Sequence, residues 1–146
     1  MQITDVFRAL PTLTTPRLRL RALQYNDAQA LYAYASDEAV TRYTLFDTHT
    51  TIDDARAFIS QVQEDYVNGL SGVWGFELVE TGELVGTGGF GNVNEKHRHS
   101  EIGYSLARCH WNKGLGTEAV RELIRFGFDE LRLLRIEARC HPDNIA

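Results

Sequence analysis

Cysteine is almost missing from this chain. Among 146 residues only Cys109 and Cys140 occur, too few for a disulfide framework, so a reduced, free-thiol protein is the simpler expectation. Long apolar runs are missing as well, and no stretch approaches the ~20 residues of a membrane-spanning helix. The opening MQITDVFRALPTLTTPRLRLRAL lacks an apolar core behind a basic flank, so no signal peptide is expected and the localisation is expected to be cytoplasmic. Nor is there a basic excess. Fifteen Lys and Arg stand against 20 Asp and Glu, a net charge of −5, which argues against general binding to nucleic acid or to an anionic membrane. Repeats, linkers and low-complexity tracts are absent, and 43% of residues are hydrophobic. A single domain over residues 1–146 is expected, long enough to bury roughly two thirds of its unfolded surface.

The patterns that are present alternate between two periods. Leu18 and Leu20, with Ala22, alternate with Arg17, Arg19 and Arg21, which reads as a strand with one charged, solvated face. Asn26 or Asp27 caps a short helix to about Ser36, with Ala28, Leu31, Tyr32 and Ala35 on one side. A second helix starts at Thr51 with the capping-box spelling T-I-D-D, carries Ala55, Phe58, Ile59, Val62 and Tyr66 at the 3.6 spacing, and ends at Asn68-Gly69. Residues 73–80 and 83–93 around T-G-E suggest a hairpin, and 100–107 a third antiparallel strand after the polar NEKHRH. Ala119, Val120, Leu123, Ile124, Gly127, Phe128 and Leu131 then mark one face of an amphipathic helix. RIEARC (135–140) closes as a strand. The last strand–loop–helix–strand unit is long enough for a parallel crossover, so the expected class is α/β with a mixed sheet.

The stretch HWNKGLGTEA (110–119) sits at the entrance to the best helix. A helix N-terminus presents unbonded N–H groups and partial positive charge, which favour an anion. Gly114 and Gly116 let the backbone approach a phosphate, Lys113 adds a cation and Thr117 a hydroxyl. An ordinary glycine-containing strand–helix loop would look the same, since short glycine motifs are weak signals. The Walker spacing G-x-x-x-x-G-K-[ST] is not present. A dinucleotide G-x-G-x-x-A should follow the first strand of an open parallel sheet, whereas this one lies in the last quarter of the chain.

SEIGYSLARCHWNKGLGTEAVRELIRFGFDELRLLRIEARCHPDNIA resembles the central motif of the GNAT acyltransferases. More narrowly it is similar to the ribosomal-protein-alanine (RimJ/RimL-like) N-acetyltransferase branch, with its E-I-G-Y, W-x-K-G-x-x-T-E-A and R-I-E-A-x-x-x-P-x-N elements. TPRLRLRAL and the hairpin ending in L-V-G-x-x-G also match, so the likeness spans nearly everything from about Thr15. Asn112 departs from the glycine usual at its position, although Asn tolerates left-handed backbone better than most residues. Family members also continue past the P-x-N turn, so C-terminal elements are expected to be missing from this sequence, or supplied by another chain, as in a homodimer.

The resemblance implies a GNAT-type, mostly antiparallel sheet flanked by helices, with acetyl-CoA as co-substrate and no metal. The pantetheine arm would lie along the strand at Tyr104, Ser105 and Leu106. The pyrophosphate would sit on Trp111, Asn112, Lys113, Gly114, Leu115, Gly116 and Thr117, and Asn144 would also contact the cofactor. A neutral primary amine, either a protein N-terminus or a small molecule, would attack the thioester directly. Glu101 is the candidate catalytic base, with a sheet glutamate paired to a nearby arginine as the plain alternative. A non-catalytic acyl-CoA-binding module is the competing function. The adjacent pairs Cys109-His110 and Cys140-His141 point oppositely on extended backbone and lack zinc spacing. His99 is a weaker base candidate, and Trp74 and Phe76 are expected in the core or the acceptor-cleft wall.

Overall fold

A computed structural model describes residues 2–41 and 48–138. The chain enters through a short helix α1 (Ile3–Arg8), strand β1 (Leu13–Thr14) and strand β2 (Leu18–Arg21). Helices α2 (Ala28–Ala35), α3 (Glu38–Thr41) and α4 (Ile52–Val67) follow, then strands β3 (Gly72–Leu78), β4 (Leu84–Asn94) and β5 (His99–Leu106). Helix α5 (Leu115–Asp129) crosses to strand β6 (Arg135–Ala138). The six strands form one sheet in sequence order, antiparallel throughout except for the parallel pair β5–β6. This is the expected mixed α/β class with its single crossover.

Helices cover both faces. Leu18, Leu20, Trp74, Phe76, Val85, Phe90, Ile102 and Leu106 face α1 and α5, where Ile3, Phe7, Leu123 and Phe126 meet them. On the other face Leu23 and Leu84 lie under α2 and α4, against Leu31, Tyr34, Ile59 and Val62. Trp74 is fully buried and meets the rings of Phe90 and Phe126 edge-on, at centroid distances of 6.0 and 5.5 Å, while its indole N–H donates to the Pro11 carbonyl at 2.8 Å. The core thus satisfies the polar edge of its largest side chain.

Several local signals hold. Asp54 accepts from the Thr51 N–H at 3.2 Å and from the Thr50 N–H at 2.8 Å, so the acidic N3 side chain caps α4 as the T-I-D-D spelling predicts. Gly69, at φ +70°, ends it. Other expectations are corrected. Phe126, not Phe128, is the buried phenylalanine of α5, and Phe128 remains 43% exposed. At ~100° per residue Phe128 lies ~180° around the helix from Ala119, on the solvent side. Tyr34, not the half-buried Tyr32, anchors α2 in the core. The arginines of β2 are not a simple solvated face. The Arg21 guanidinium donates to both Asp27 oxygens, at 2.8 and 2.9 Å, and to Glu77 at 3.2 Å. Its pKa is raised, chiefly by the Asp27 hydrogen bonds and against the effect of burial. Arg19 joins Glu77 at 2.6 Å. Helices α1 and α3 and strand β1 escape the periodicity reading because each is too short to show a period.

Candidate active site

The turn between β5 and α5 is built from two left-handed residues around a lysine. Asn112 has φ +61° and Gly114 φ +78°, with exposed Lys113 between them. Alternating backbone handedness of this kind turns successive N–H groups toward one concavity. Glu118 is the first residue of α5 to close a helical bond, its N–H donating to the Gly114 carbonyl at 3.0 Å. The N–H groups of Leu115, Gly116 and Thr117 precede that bond and complete the positive end of a 15-residue helix. Gly116 is buried, and a Cβ there would lie 2.8 Å from the Tyr104 ring. A phosphate-bearing ligand fits this cradle by charge and by the absence of side chains.

The turn is braced from the other end of the chain. Arg17 donates through one guanidinium nitrogen to the Lys113 carbonyl at 2.9 Å and through Nε to Glu118 at 2.8 Å. Glu118 also accepts from the Arg17 N–H at 2.8 Å and the Thr15 hydroxyl at 2.5 Å. Burial pushes the Glu118 carboxyl up, but the Thr15 and Arg17 hydrogen bonds outweigh it and hold the pKa below the ordinary carboxylate range. A carboxyl depressed in the fold contributes stability that is complete above its unfolded pKa and lost as pH falls through the folded value. Glu118→Ala should therefore cost about 2–3 kcal/mol at neutral pH and much less in acid, read as Tm against pH. Thr15 and Arg17 lie in TPRLRLRAL and Glu118 in the T-E-A of the family-like motif, but nothing in those stretches paired them with one another. The general preference for acid in a first helical turn also pointed at Glu118.

Among the described residues, strand β5 approaches the turn with one edge partly open. Its parallel pairing with β6 runs from His99↔Arg135 to Ile102↔Ala138 in the described residues, whereas its pairing with β4 continues to Leu106. The Ala107 N–H bonds the Val85 carbonyl at 2.8 Å. A Cβ on Gly86 or Gly88 would meet the Ser105 or Gly103 carbonyl at 2.3 or 2.7 Å, so those carbonyls point toward β4. Alternation turns the main-chain groups of Tyr104 and Leu106 away from β4, to the side where β6 lies farther down. Of the three expected pantetheine contacts, Tyr104 thus presents its backbone groups to the open edge and Leu106 its N–H, the Leu106 carbonyl being taken by the Trp111 indole. Ser105 points its own toward β4, and its buried hydroxyl lies 3.4 Å from Thr87 Oγ1, which accepts from Tyr34 at 3.0 Å. The Tyr34 hydroxyl is pushed up to about 12 by burial.

Trp111 packs between the two cores and donates its indole N–H to the Leu106 carbonyl at 2.9 Å, fixing the turn to the end of β5. Trp111→Phe should cost about 1 kcal/mol and loosen this junction, measured as a lower denaturation midpoint. Glu101 lies on the opposite sheet face from Ile102, half-buried, and accepts from the Asn92 amide at 2.8 Å. Leu115 is buried at the start of α5, and Asn112, Lys113 and Thr117 are exposed. Cys109 is exposed and the His97 and His99 rings stack 6.4 Å apart. Asn144, Cys140 and His141 lie outside the described residues.

The chain that carries this strand, turn and helix has relatives among known proteins. The model for an acetyltransferase (GNAT) domain matches residues 17–146. This chain belongs to the GNAT acetyltransferase family. It is 39% identical over 135 residues to the uncharacterized N-acetyltransferase p20 of Bacillus licheniformis, covering 92% of this chain and 76% of that one. Among solved structures, a GNAT-family acetyltransferase from Bacillus anthracis superposes with a TM-score of 0.79 at 29% identity, over 92% of this chain and 76% of that one. The microcin C7 self-immunity acetyltransferase MccE, in complex with acetyl-CoA and AMP, shares the fold with a TM-score of 0.77 at 21% identity, over 89% and 73%. The GNAT assignment accounts for the mixed sheet, its helices on both faces and the crossover that ends in β6.

Proposed function

We propose that the protein is an acetyl-CoA-dependent N-acetyltransferase of the RimJ/RimL-like branch, acting in the cytoplasm on a primary amine. The observation that carries this reading is the joint geometry of β5 and the 111–117 turn. One offers the Tyr104 backbone groups and the Leu106 N–H on the side away from β4, and the other an anion cradle at the start of α5. A thioester cofactor with a pantetheine arm and a pyrophosphate needs both, in that order. The GNAT relatives and the acetyl-CoA bound to MccE support the same cofactor.

Leu115, Gly116 and Thr117 would donate main-chain N–H groups to the pyrophosphate, with Asn112 and Gly114 shaping the turn and Trp111 tying it to β5. Bound there, acetyl-CoA supplies the acyl group as an activated thioester. The chain's own task is to deliver a neutral amine, because a protonated one has no lone pair to attack with. Glu101, on the sheet face away from α5, would take that proton directly or through water. Backbone N–H on β5 would orient the thioester carbonyl. Release of free thiol, followed with full-length protein across a panel of primary amines, tests the reading. Turnover with one amine class supports it, and acetyl-CoA binding without thiol release from any amine would favour a binding module.

A further inference from the structure

Two strand glycines lack the steric reason that explains their neighbours. A Cβ on Gly72 would strike the Phe7 ring at 2.6 Å, on Gly75 a Leu84 methyl at 2.8 Å, and on Gly89 the Gly72 carbonyl at 1.7 Å. Gly86 and Gly88 are blocked by the β5 carbonyls. Gly91 and Gly103 differ. Neither has a positive φ, and a Cβ on either meets no described atom within 4 Å. Both are exposed, and glycine weakens a strand that nothing obliges it to occupy.

The two positions share a face. Phe90 and Ile102 belong to the core under α5, so Gly91, Glu101 and Gly103 project to the α2 side. Gly91 is paired directly with Glu101, and Gly103 follows two residues along the same strand, making the glycines diagonal neighbours. Glu137 is in register with Glu101 on β6, with Ile136 turned into the α5 core. The result is a trough floored by bare backbone and bordered by Glu101 and Glu137. It is closed toward Leu106 by the buried hydroxyls of Ser105, Thr87 and Tyr34, and α3 packs against β5 beside it. Among the described residues, β5 and β6 carry on this face the Glu101 and Glu137 carboxylates, the Arg135 guanidinium paired with Glu137, and His99.

We infer that this trough seats the acceptor, and that Gly91 and Gly103 are specificity-determining residues. They admit a primary amine with bulk one or two atoms from its nitrogen and no carboxylate beside it. Missing side chains leave room for a flat or branched substituent pressed onto the sheet. The Glu101 carboxylate favours an ammonium group over a carboxylate beside it, and Glu137, already paired with Arg135, adds less. The inference rests on the transferase reading for the direction of attack, and not for the existence of the trough.

L-phenylalaninamide, glycinamide and L-phenylalanine separate bulk from charge. Each is titrated by calorimetry into full-length protein saturated with CoA, and each is followed for thiol release with acetyl-CoA. The wild type should prefer phenylalaninamide over the other two by at least roughly tenfold in kcat/KM. Gly103→Leu should lower phenylalaninamide binding by about 100-fold, and Gly103→Ala by less. CoA affinity should be unchanged and Tm equal or higher, because leucine suits a strand better than glycine. Unchanged phenylalaninamide binding in Gly103→Leu, a clear fall in its Tm, or no amine binding by the wild type would each overturn the trough. Amine binding that Gly103→Leu abolishes, without thiol release from the wild type, would support the trough and remove the transferase. If CoA itself does not bind, the same titrations on the free protein read the trough unaltered.

Discussion

Gly116→Val should lower acetyl-CoA affinity by at least ~100-fold, about 2.7 kcal/mol, while Lys113→Ala changes it by less than ~10-fold. The asymmetry follows from where the proposed binding groups are. The cradle is made of main-chain N–H groups at Leu115, Gly116 and Thr117, between the left-handed Gly114 and the first helical bond at Glu118. Hydrogen bonds to a charged oxygen are each worth roughly 1.5–3 kcal/mol, and a branched side chain at Gly116 blocks the approach to several at once. A Cβ there already lies 2.8 Å from the Tyr104 ring, which is half exposed and can yield, so the variant should still fold. Lys113 is solvent-exposed and its charge is screened. Calorimetry with acetyl-CoA on both variants checks the order. A larger loss at Lys113 than at Gly116 would place the anion on side chains instead.

Glu101→Gln should reduce turnover by about 10²- to 10⁴-fold below the amine's pKa and by much less above it. The sign comes from the acceptor's proton. Below its pKa the amine is an ammonium ion that a base must deprotonate, whereas above it the nucleophile is already neutral. Glutamine keeps an acceptor oxygen for the Asn92 amide, 2.8 Å away, so the substitution removes the proposed base and leaves the hydrogen bond. The pH–rate profiles of the two proteins should therefore diverge in acid and converge in base. Parallel profiles would take Glu101 out of the proton path, and the same experiment on His99→Gln would then examine its neighbour on β5.

Much of this was legible in the sequence because the informative segments are long or chemically distinctive. The 3.6 spacing of α4 and α5, the period of the β3–β4–β5 meander and the left-handed tolerance of Asn112 all show in single residues, and the structure gives Asn112 a φ of +61°. What stayed hidden depends on tertiary contact. The Arg17–Glu118 brace joins residues 101 positions apart, and no local pattern encodes that distance. Phe126 and Phe128 are both aromatic within one turn, so only the helix phase against Trp74 decides which is buried. The open space above Gly91 and Gly103, against the crowded space above Gly89, is set by tertiary packing that the strand pattern does not carry.

The central claim is that the open edge of β5 and the turn at 111–117 together hold coenzyme A. Isothermal titration of the wild-type chain with acetyl-CoA, CoA and NAD tests it most directly. Saturable binding of acetyl-CoA and CoA, with none for NAD, is the predicted result. Tight NAD binding with no affinity for either coenzyme A species would contradict it.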